Sequence, residues 1–326
     1  MTQPTQINGA TKRPQPAKLT LASIVTAPKR APMRLLVWGV SGVGKTTFAA
    51  AAPNPIFLCT EEGAESLNVA RFPLLTSYEQ VGQALEALHD NHDRQTLVID
   101  SLTALETLIH DYVCRTNNWR SIDVPAYGAG YARALDEWAA LMKSLDQLRR
   151  AKNMHVILIG HADEKPFKNP EGEDWNRYCL QLRASPAKAL QQWSDAVLFA
   201  RHEVFASTSG KRVRGISTGA RVLHTQWNAA FDAKNRYDLP DIIPLSWDEF
   251  DQHVNAAPSA ERLERLRVEI REIGARLEGT EHAGNHEKAL KWAGDDVRRL
   301  SEALEKLRAQ AGLDGNNAVN AEEKSE

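Results

Sequence analysis

A glycine-rich stretch early in the chain has the spacing of a phosphate-binding loop. Residues 39–46 read Gly39-Val40-Ser41-Gly42-Val43-Gly44-Lys45-Thr46 and satisfy G-x-x-x-x-G-K-[ST] at every fixed position. Glycines let successive backbone N–H groups converge on an anion, and the first turn of the next helix, with Thr47, adds further donors. Lys45 would reach the β- and γ-phosphates, and the Thr46 hydroxyl would hold Mg²⁺. The spacing predicts a site for ATP and Mg²⁺.

The elements around this loop predict an α/β fold. Residues 34–38 read as a buried strand before the loop, and residues 46–52 read as a helix after it. Apolar strand-like runs then alternate with helical spacing, which predicts a parallel sheet covered on both faces. The predicted strands are 56–59, 96–100, 155–160 and 195–200, and the helices are 78–90, 102–113 and 131–150. Short antiparallel strands are expected at 203–206, 212–217 and 221–225.

Composition limits the classes of function. The chain has 326 residues, a formal net charge of −2 and three scattered cysteines. A global basic field for nucleic acid is therefore absent, and any polyanion must bind a local patch. The cysteine spacing favours neither a disulfide framework nor a zinc site and suits a reducing cytoplasm. Apolar runs of membrane-spanning length are absent, so we expect no membrane partner.

Four segments are expected along the chain. Residues 1–33 read as a disordered basic arm, which could touch nucleic acid or serve as a solubilising tail. Residues 34–256 form the predicted α/β domain. Residues 257–312 have heptad spacing in two runs, broken near residues 279–284, and predict an antiparallel helical hairpin. Its apolar stripe could pack internally or form an oligomer. Residues 313–326 read as a disordered tail.

Two acidic positions follow predicted strands near the loop. Residues 97–100 form an apolar strand that ends in Asp100, where a carboxylate can bind Mg²⁺; the alternative is a cap for the helix that follows. Glu61 and Glu62 follow the strand at 56–59. Here the sequence resembles the RecA superfamily, whose catalytic glutamate follows the corresponding strand and whose second motif ends in Asp-Ser. The resemblance implies that Glu61 activates water, with Glu62 one register away and a pair of surface acids as the alternatives.

Two further segments extend the resemblance. His161 directly follows the predicted strand at 155–160, at a position where a polar residue commonly senses the γ-phosphate; RecA-like proteins usually carry Gln there. Residues 234–236 resemble the Lys-Asn-Arg motif of the RadA branch, in which cations act on nucleotide across a subunit interface. The resemblance implies that Lys234 or Arg236 completes a neighbour's site in a ring or filament. A solvated turn is the alternative.

RecA-type cores bind DNA through two loops, and the matching segments here are 117–131 and 162–192. Both interleave cations with aromatic rings, which suits single strands because phosphates take the charge and bases stack. Both could instead form a lid or a partner contact. The candidate DNA-binding residues are Trp119, Arg120, Tyr127, Lys165, Phe167, Lys168, Arg177 and Tyr178.

Residues 34 to about 250 resemble phage-encoded P-loop ATPases of the RecA superfamily, some of which anneal single-stranded DNA. The resemblance implies a Mg-ATP-dependent homo-oligomer that acts in DNA recombination in the cytoplasm of a bacterial host. Two alternatives are a ring helicase motor and an ATP-switched loader. The loader would act through a protein partner, such as a single-strand-binding or replication protein.

Overall fold

The computed structural model describes residue 20 and residues 31–169, 172–209, 212–255, 260–295 and 297–311. The arm expected at 1–33, apart from residues 20 and 31–33, and the tail expected at 313–326 lie outside the described residues. Across the described ranges, no helix combines the length and the apolar composition that crossing a membrane requires.

A mixed sheet forms the centre of the domain, with strands in the order β3-β2-β4-β5-β1-β7-β8-β9. The pairings among β1, β2, β3, β4, β5 and β7 are all parallel. The remaining pairings, β6 with β5, β8 with β7 and β9 with β8, are antiparallel. The strands are β1 Arg34–Gly39, β2 Pro55–Cys59, β3 Ala70–Arg71, β4 Thr96–Asp100, β5 His155–Phe167, β6 Trp175–Leu180, β7 Ala196–Ser209, β8 Arg212–His224 and β9 Ile242–Pro244. The expected fold class, a mostly parallel sheet with antiparallel edge strands, is confirmed.

Helices cover both faces of this sheet because its central strands are apolar on both sides. Leu35, Leu36, Val37 and Trp38 of β1 are all buried, two toward each face. One face packs against α2, α3, α4 and α5, and the other packs against α1 and α6. The helices are α1 Lys45–Ala50, α2 Tyr78–Ala87, α3 Leu102–Thr116, α4 Ala129–Lys152, α5 Ala184–Trp193 and α6 Trp247–Asn255.

Two strand predictions were too short. Strand β5 continues past residue 160 to Phe167 and pairs with β6, so much of the segment expected as a loop at 162–192 is a β-hairpin followed by α5. Strands β7 and β8 likewise form one long hairpin in place of several short strands. In both cases the extension of the strand is mostly polar, so it lacks the apolar pattern by which a strand is recognised in the sequence. The antiparallel partner strand pairs with its backbone and keeps it extended.

The described residues from 260 to 310 form three helices where two were expected. They are α7 Ala260–Arg276, α8 Asn285–Ala293 and α9 Val297–Gln310. The expected break after α7 is present, but Gly294, which has a φ of 55°, ends α8 and divides the second predicted helix. The three helices bury a common apolar cluster that includes Ile270, Leu277, Leu300 and Leu304.

Candidate nucleotide site

The glycine loop joins the carboxyl end of β1 to the first turn of α1. Gly39 must be glycine, because a Cβ there would lie 1.9 Å from the carbonyl oxygen of Ala200 on β7. Gly44 has a φ of 106°, which other residues rarely adopt, and it stands directly before α1. The loop therefore brings the open N–H groups of the α1 amino end to the edge of the sheet, where an anion can bind.

Lys45 is the buried cation of the loop. Its side chain is only 5% exposed, and its Nζ donates hydrogen bonds to the carbonyl oxygens of Gly39 at 3.1 Å and Val40 at 2.9 Å. Burial lowers the pKa of Lys45, while the nearby carboxylates of Asp100 and Glu61 oppose that shift. The ammonium group is thus held at the rim of the loop beside two acids.

Thr46 and Asp100 meet beside the loop. The Thr46 hydroxyl donates a 2.7 Å hydrogen bond to Oδ2 of Asp100, which ends β4 and is 7% exposed. Burial raises the pKa of Asp100, and the Thr46 hydrogen bond opposes this. A hydroxyl and a carboxylate are the oxygen ligands that Mg²⁺ prefers, so the pair fits that ion. The alternative role of Asp100 as a helix cap falls to Ser101, whose side chain accepts from Ala104 N.

Glu61 and His161 face each other across the same edge. His161 Nε2 lies 2.8 Å from Glu61 Oε1, and His161 Nδ1 lies 3.4 Å from the Ser41 hydroxyl of the loop. The hydrogen bond with His161 is the main cause that lowers the pKa of Glu61, against the opposing effect of burial. Glu61 is therefore a carboxylate at neutral pH, linked through one imidazole to the phosphate-binding loop. Glu62 is exposed and has no hydrogen bond among the described residues.

Thr60 connects the two strand ends that carry Glu61 and Asp100, and the sequence analysis did not single it out. The buried Thr60 hydroxyl donates to the Ser101 carbonyl at 2.7 Å and accepts from the Ser101 N–H at 3.0 Å. The end of β2 is thereby tied to the end of β4, directly between Glu61 and Asp100. A threonine after a predicted strand is too common a feature to have signalled this role.

Lys234 and Arg236 lie near the amino ends of β1 and β7, opposite the carboxyl ends that carry the loop. Lys234 pairs through its backbone with Val197 near the start of β7, and Arg236 Nη1 lies 3.4 Å from Asp195, which precedes β7. Asp195 is hydrogen-bonded to Arg34, five residues before Gly39, so Arg236 is about 16 Å along the strand from the loop. The structure does not bring these cations to the nucleotide site of their own chain. Asn235 accepts from Tyr237 N and Leu239 N, which shapes the turn.

The candidate DNA-binding residues divide into partly buried and exposed groups. Trp119 and Tyr178 pack on the apolar cluster beneath α3 and α4, and Arg177 forms a 2.7 Å ion pair with Asp232. These three side chains support the domain itself.

The exposed group lies on the loop before α4 and on the β5–β6 hairpin. Tyr127 is fully exposed with a φ of 55°, and Arg120 is exposed nearby. Lys165 and Lys168 are exposed on or beside the hairpin but lie within ion-pair distance of Asp163 and Asp174, respectively. The Phe167 ring packs against Trp175, with centroids 4.8 Å apart. The exposed cations are thus partly neutralised by neighbouring acids.

The fold and the loop define a P-loop ATPase. A family model described as an AAA domain matches residues 31–237, and the chain belongs to that family. The crystal structure of the RadB recombinase is similar at a TM-score of 0.33 and 16% sequence identity, over 60% of this chain and 80% of that chain. No curated protein is similar enough to match.

Proposed function

We propose that the protein is a Mg-ATP-dependent ATPase of DNA recombination that binds single-stranded DNA and promotes annealing, as some of the phage proteins it resembles do. The observation that carries the proposal is the continuity of β5. This one strand places His161 against Glu61 and the glycine loop, and four residues later it presents Lys165 on the exposed hairpin. A change at the nucleotide can therefore reach the hairpin through a single rigid element.

The residues at the edge have complementary roles in hydrolysis. Glu61 accepts a proton from water while the water oxygen attacks the γ-phosphorus, and the bond to the β,γ-bridging oxygen breaks to release ADP and phosphate. The N–H groups of residues 41–47 and the Lys45 ammonium stabilise the phosphate charge. Thr46 and Asp100 would hold Mg²⁺, which neutralises phosphate charge when bound. His161 orients the Glu61 carboxylate.

Lys234 and Arg236 act on a neighbouring subunit in this proposal. Their position far from the loop of their own chain leaves a second copy as the site that they could reach. A cation supplied in trans stabilises charge that develops on the γ-phosphate and makes hydrolysis depend on assembly. This supports a homo-oligomer, a ring or a filament.

Single-stranded DNA would contact the exposed face formed by residues 120–127 and the β5–β6 hairpin. Tyr127 offers a free ring for base stacking, and Arg120, Lys165 and Lys168 offer charge to phosphates. Because Asp163 and Asp174 compete for two of these cations, we expect the contact to weaken strongly with added salt.

The test compares ATP hydrolysis with and without single-stranded DNA in the wild type and in Lys45→Ala. We expect DNA to stimulate the wild type and Lys45→Ala to be inactive in both conditions. An annealing assay with complementary strands and a strand-displacement assay then separate annealing from unwinding. An ATP hydrolysis rate that is the same with and without DNA, together with no annealing of complementary strands, would overturn the proposal.

The carboxyl-terminal helices support one alternative function, an ATP-switched loader. Helices α7, α8 and α9 have an apolar cluster of their own, and Trp292 is exposed on α8. Such a unit could hold a single-strand-binding or replication protein. DNA-independent hydrolysis, together with binding to such a protein that is lost after removal of residues 260–326, would favour this alternative.

A further inference from the structure

Arg221 lies beside the glycine loop, although nothing in the sequence predicted that its strand would reach this loop. It stands on β8, opposite His202 of β7, and its side chain is exposed. Its Nη1 lies 3.4 Å from the carbonyl oxygen of Val43, inside the loop. A Cβ on Gly44 would meet the same Nη1 at 2.8 Å, so the absent side chain of Gly44 makes room for the guanidinium.

The sheet order shows which end of a nucleotide Arg221 faces. Strands β5, β4 and β2 lie on one side of β1 and carry His161, Asp100 and the start of the Glu61 loop. The γ-phosphate must point to that side, because the groups suited to activate water and hold Mg²⁺ stand there. Strands β7 and β8 lie on the opposite side of β1. A nucleotide whose γ-phosphate faces Glu61 would therefore place its nucleoside end on the side of β1 that carries β7 and β8, where Arg221 lies.

The chemistry of Arg221 suits a base. Among the described residues, no carboxylate forms an ion pair with its guanidinium, whereas Arg34 and Arg177 are both paired with acids. A guanidinium is planar and weakly hydrated, and it stacks on aromatic faces in a way that an ammonium group does not. The apolar side chain of Leu245 lies next to Gly44 on the same side of the loop.

We propose that Arg221 contacts the nucleobase of the ATP bound in its own subunit and so contributes to binding of the nucleoside end. The inference rests on the proposed use of the glycine loop as the triphosphate site. It assigns a nucleotide-binding role to β8. This role is separate from that of the cations at 234–236, which lie near the amino ends of β1 and β7.

The test compares a ligand that has a base with one that lacks it. Binding of ADP and of inorganic tripolyphosphate is measured by titration calorimetry for the wild type, Arg221→Ala and Arg221→Lys. Arg133→Ala, which removes an exposed arginine on α4, is the matched control. We expect Arg221→Ala to weaken ADP binding by about tenfold, the size of one cation–π contact, and to change tripolyphosphate binding by less than about twofold. Arg221→Lys should lose most of the same affinity, because lysine keeps the charge but not the plane.

Lys45→Ala and thermal melting complete the design. Lys45→Ala should weaken both ligands, and if it weakens neither, the proposed triphosphate site and the role of Arg221 are both wrong. If Lys45→Ala weakens both ligands but Arg221→Ala binds ADP normally, only the role of Arg221 is wrong. An equal loss of both ligands in Arg221→Ala, or full rescue by lysine, would also overturn that role. Melting temperatures confirm that each variant is folded, and Arg221→Lys provides the comparison if the alanine variant is not.

Discussion

The imidazole of His161 lies 2.8 Å from the carboxylate of Glu61, although β5, which contains His161, and β2, which precedes Glu61, are not neighbours. Strand β4 runs between β2 and β5, so the contact bridges the carboxyl ends of three strands. The other ring nitrogen of His161 faces Ser41 in the glycine loop at 3.4 Å. One side chain thus connects the proposed water-activating group with the phosphate-binding loop.

Glu61 and Glu62 should differ sharply when each is changed to glutamine. Glu61→Gln removes the proposed general base and should lower kcat by about 10²- to 10⁴-fold, while ADP binding stays close to normal. Glu62→Gln is the matched control, because Glu62 is exposed and one residue away. Steady-state ATP hydrolysis and ADP titration measure both effects. A large loss in Glu62→Gln with little loss in Glu61→Gln would reverse the assignment.

The pH dependence of hydrolysis should shift when His161 is removed. The His161 hydrogen bond lowers the pKa of Glu61 from its ordinary value, so we expect the wild-type base to stay ionised at neutral and mildly acidic pH. Burial acts in the opposite direction, so His161→Ala should raise the pKa of Glu61 and move the acidic limb of kcat/KM to higher pH. Rate profiles from pH 4.5 to 8 measure this.

His89→Ala, which removes an exposed histidine just after α2, is the control for the pH profile. The same shift affects stability. A carboxyl group with a lowered pKa stabilises the fold above its unfolded pKa, and this contribution is lost as the pH falls through the folded value. An acidic limb that does not move in His161→Ala would show that Glu61 is not the titrating base.

Thr60→Val should damage both stability and turnover. Valine keeps the shape of the side chain but leaves the buried N–H of Ser101 without its partner, which costs about 1–3 kcal/mol, while the Ser101 carbonyl still accepts from Leu105 N. Because Thr60 directly precedes Glu61, kcat should fall more than the affinity for ATP. Urea denaturation and steady-state kinetics measure the two effects, and Thr60→Ser should restore both. Normal kcat in a destabilised Thr60→Val would show that Thr60 only supports the fold.

A mixing experiment tests whether Arg236 acts on a second subunit. Arg236→Ala keeps Glu61, and Glu61→Gln keeps Arg236, so a mixed oligomer contains some interfaces with both intact groups. In equal, random mixing, roughly a quarter of the sites should recover activity. Hydrolysis equal to the average of the two separate variants would contradict action in trans. Lys234→Ala in place of Arg236→Ala shows which cation matters more.

The parts of the site that a local motif specifies were predictable from the sequence. The spacing from Gly39 to Thr46 fixes a loop and a helix start, and the apolar run that ends in Asp100 fixes a buried strand. The parallel sheet followed from the alternation of such runs. These predictions succeeded because each depends on residues that are adjacent in the chain.

Contacts between distant segments were not predictable in the same way. Residues 161–167 are mostly polar and resemble a loop, but β6 pairs with them and extends the strand. The contacts of Arg221 with the loop and of Thr60 with Ser101 depend on the order of the strands in the sheet, which local sequence does not encode. The helix break at Gly294 was hidden because apolar residues continue at heptad spacing on both sides of it.

The central claim is that nucleotide state controls DNA binding through β5, and the most direct measurement is the affinity for a fluorescent single strand in Glu61→Gln. This variant should bind ATP without turning it over, so its ATP and ADP states can be compared at equilibrium. We predict that the strand binds at least about fivefold more tightly with ATP than with ADP, and that adding His161→Ala removes this difference. Equal affinity in the two nucleotide states, or a difference that survives the loss of His161, would contradict the account.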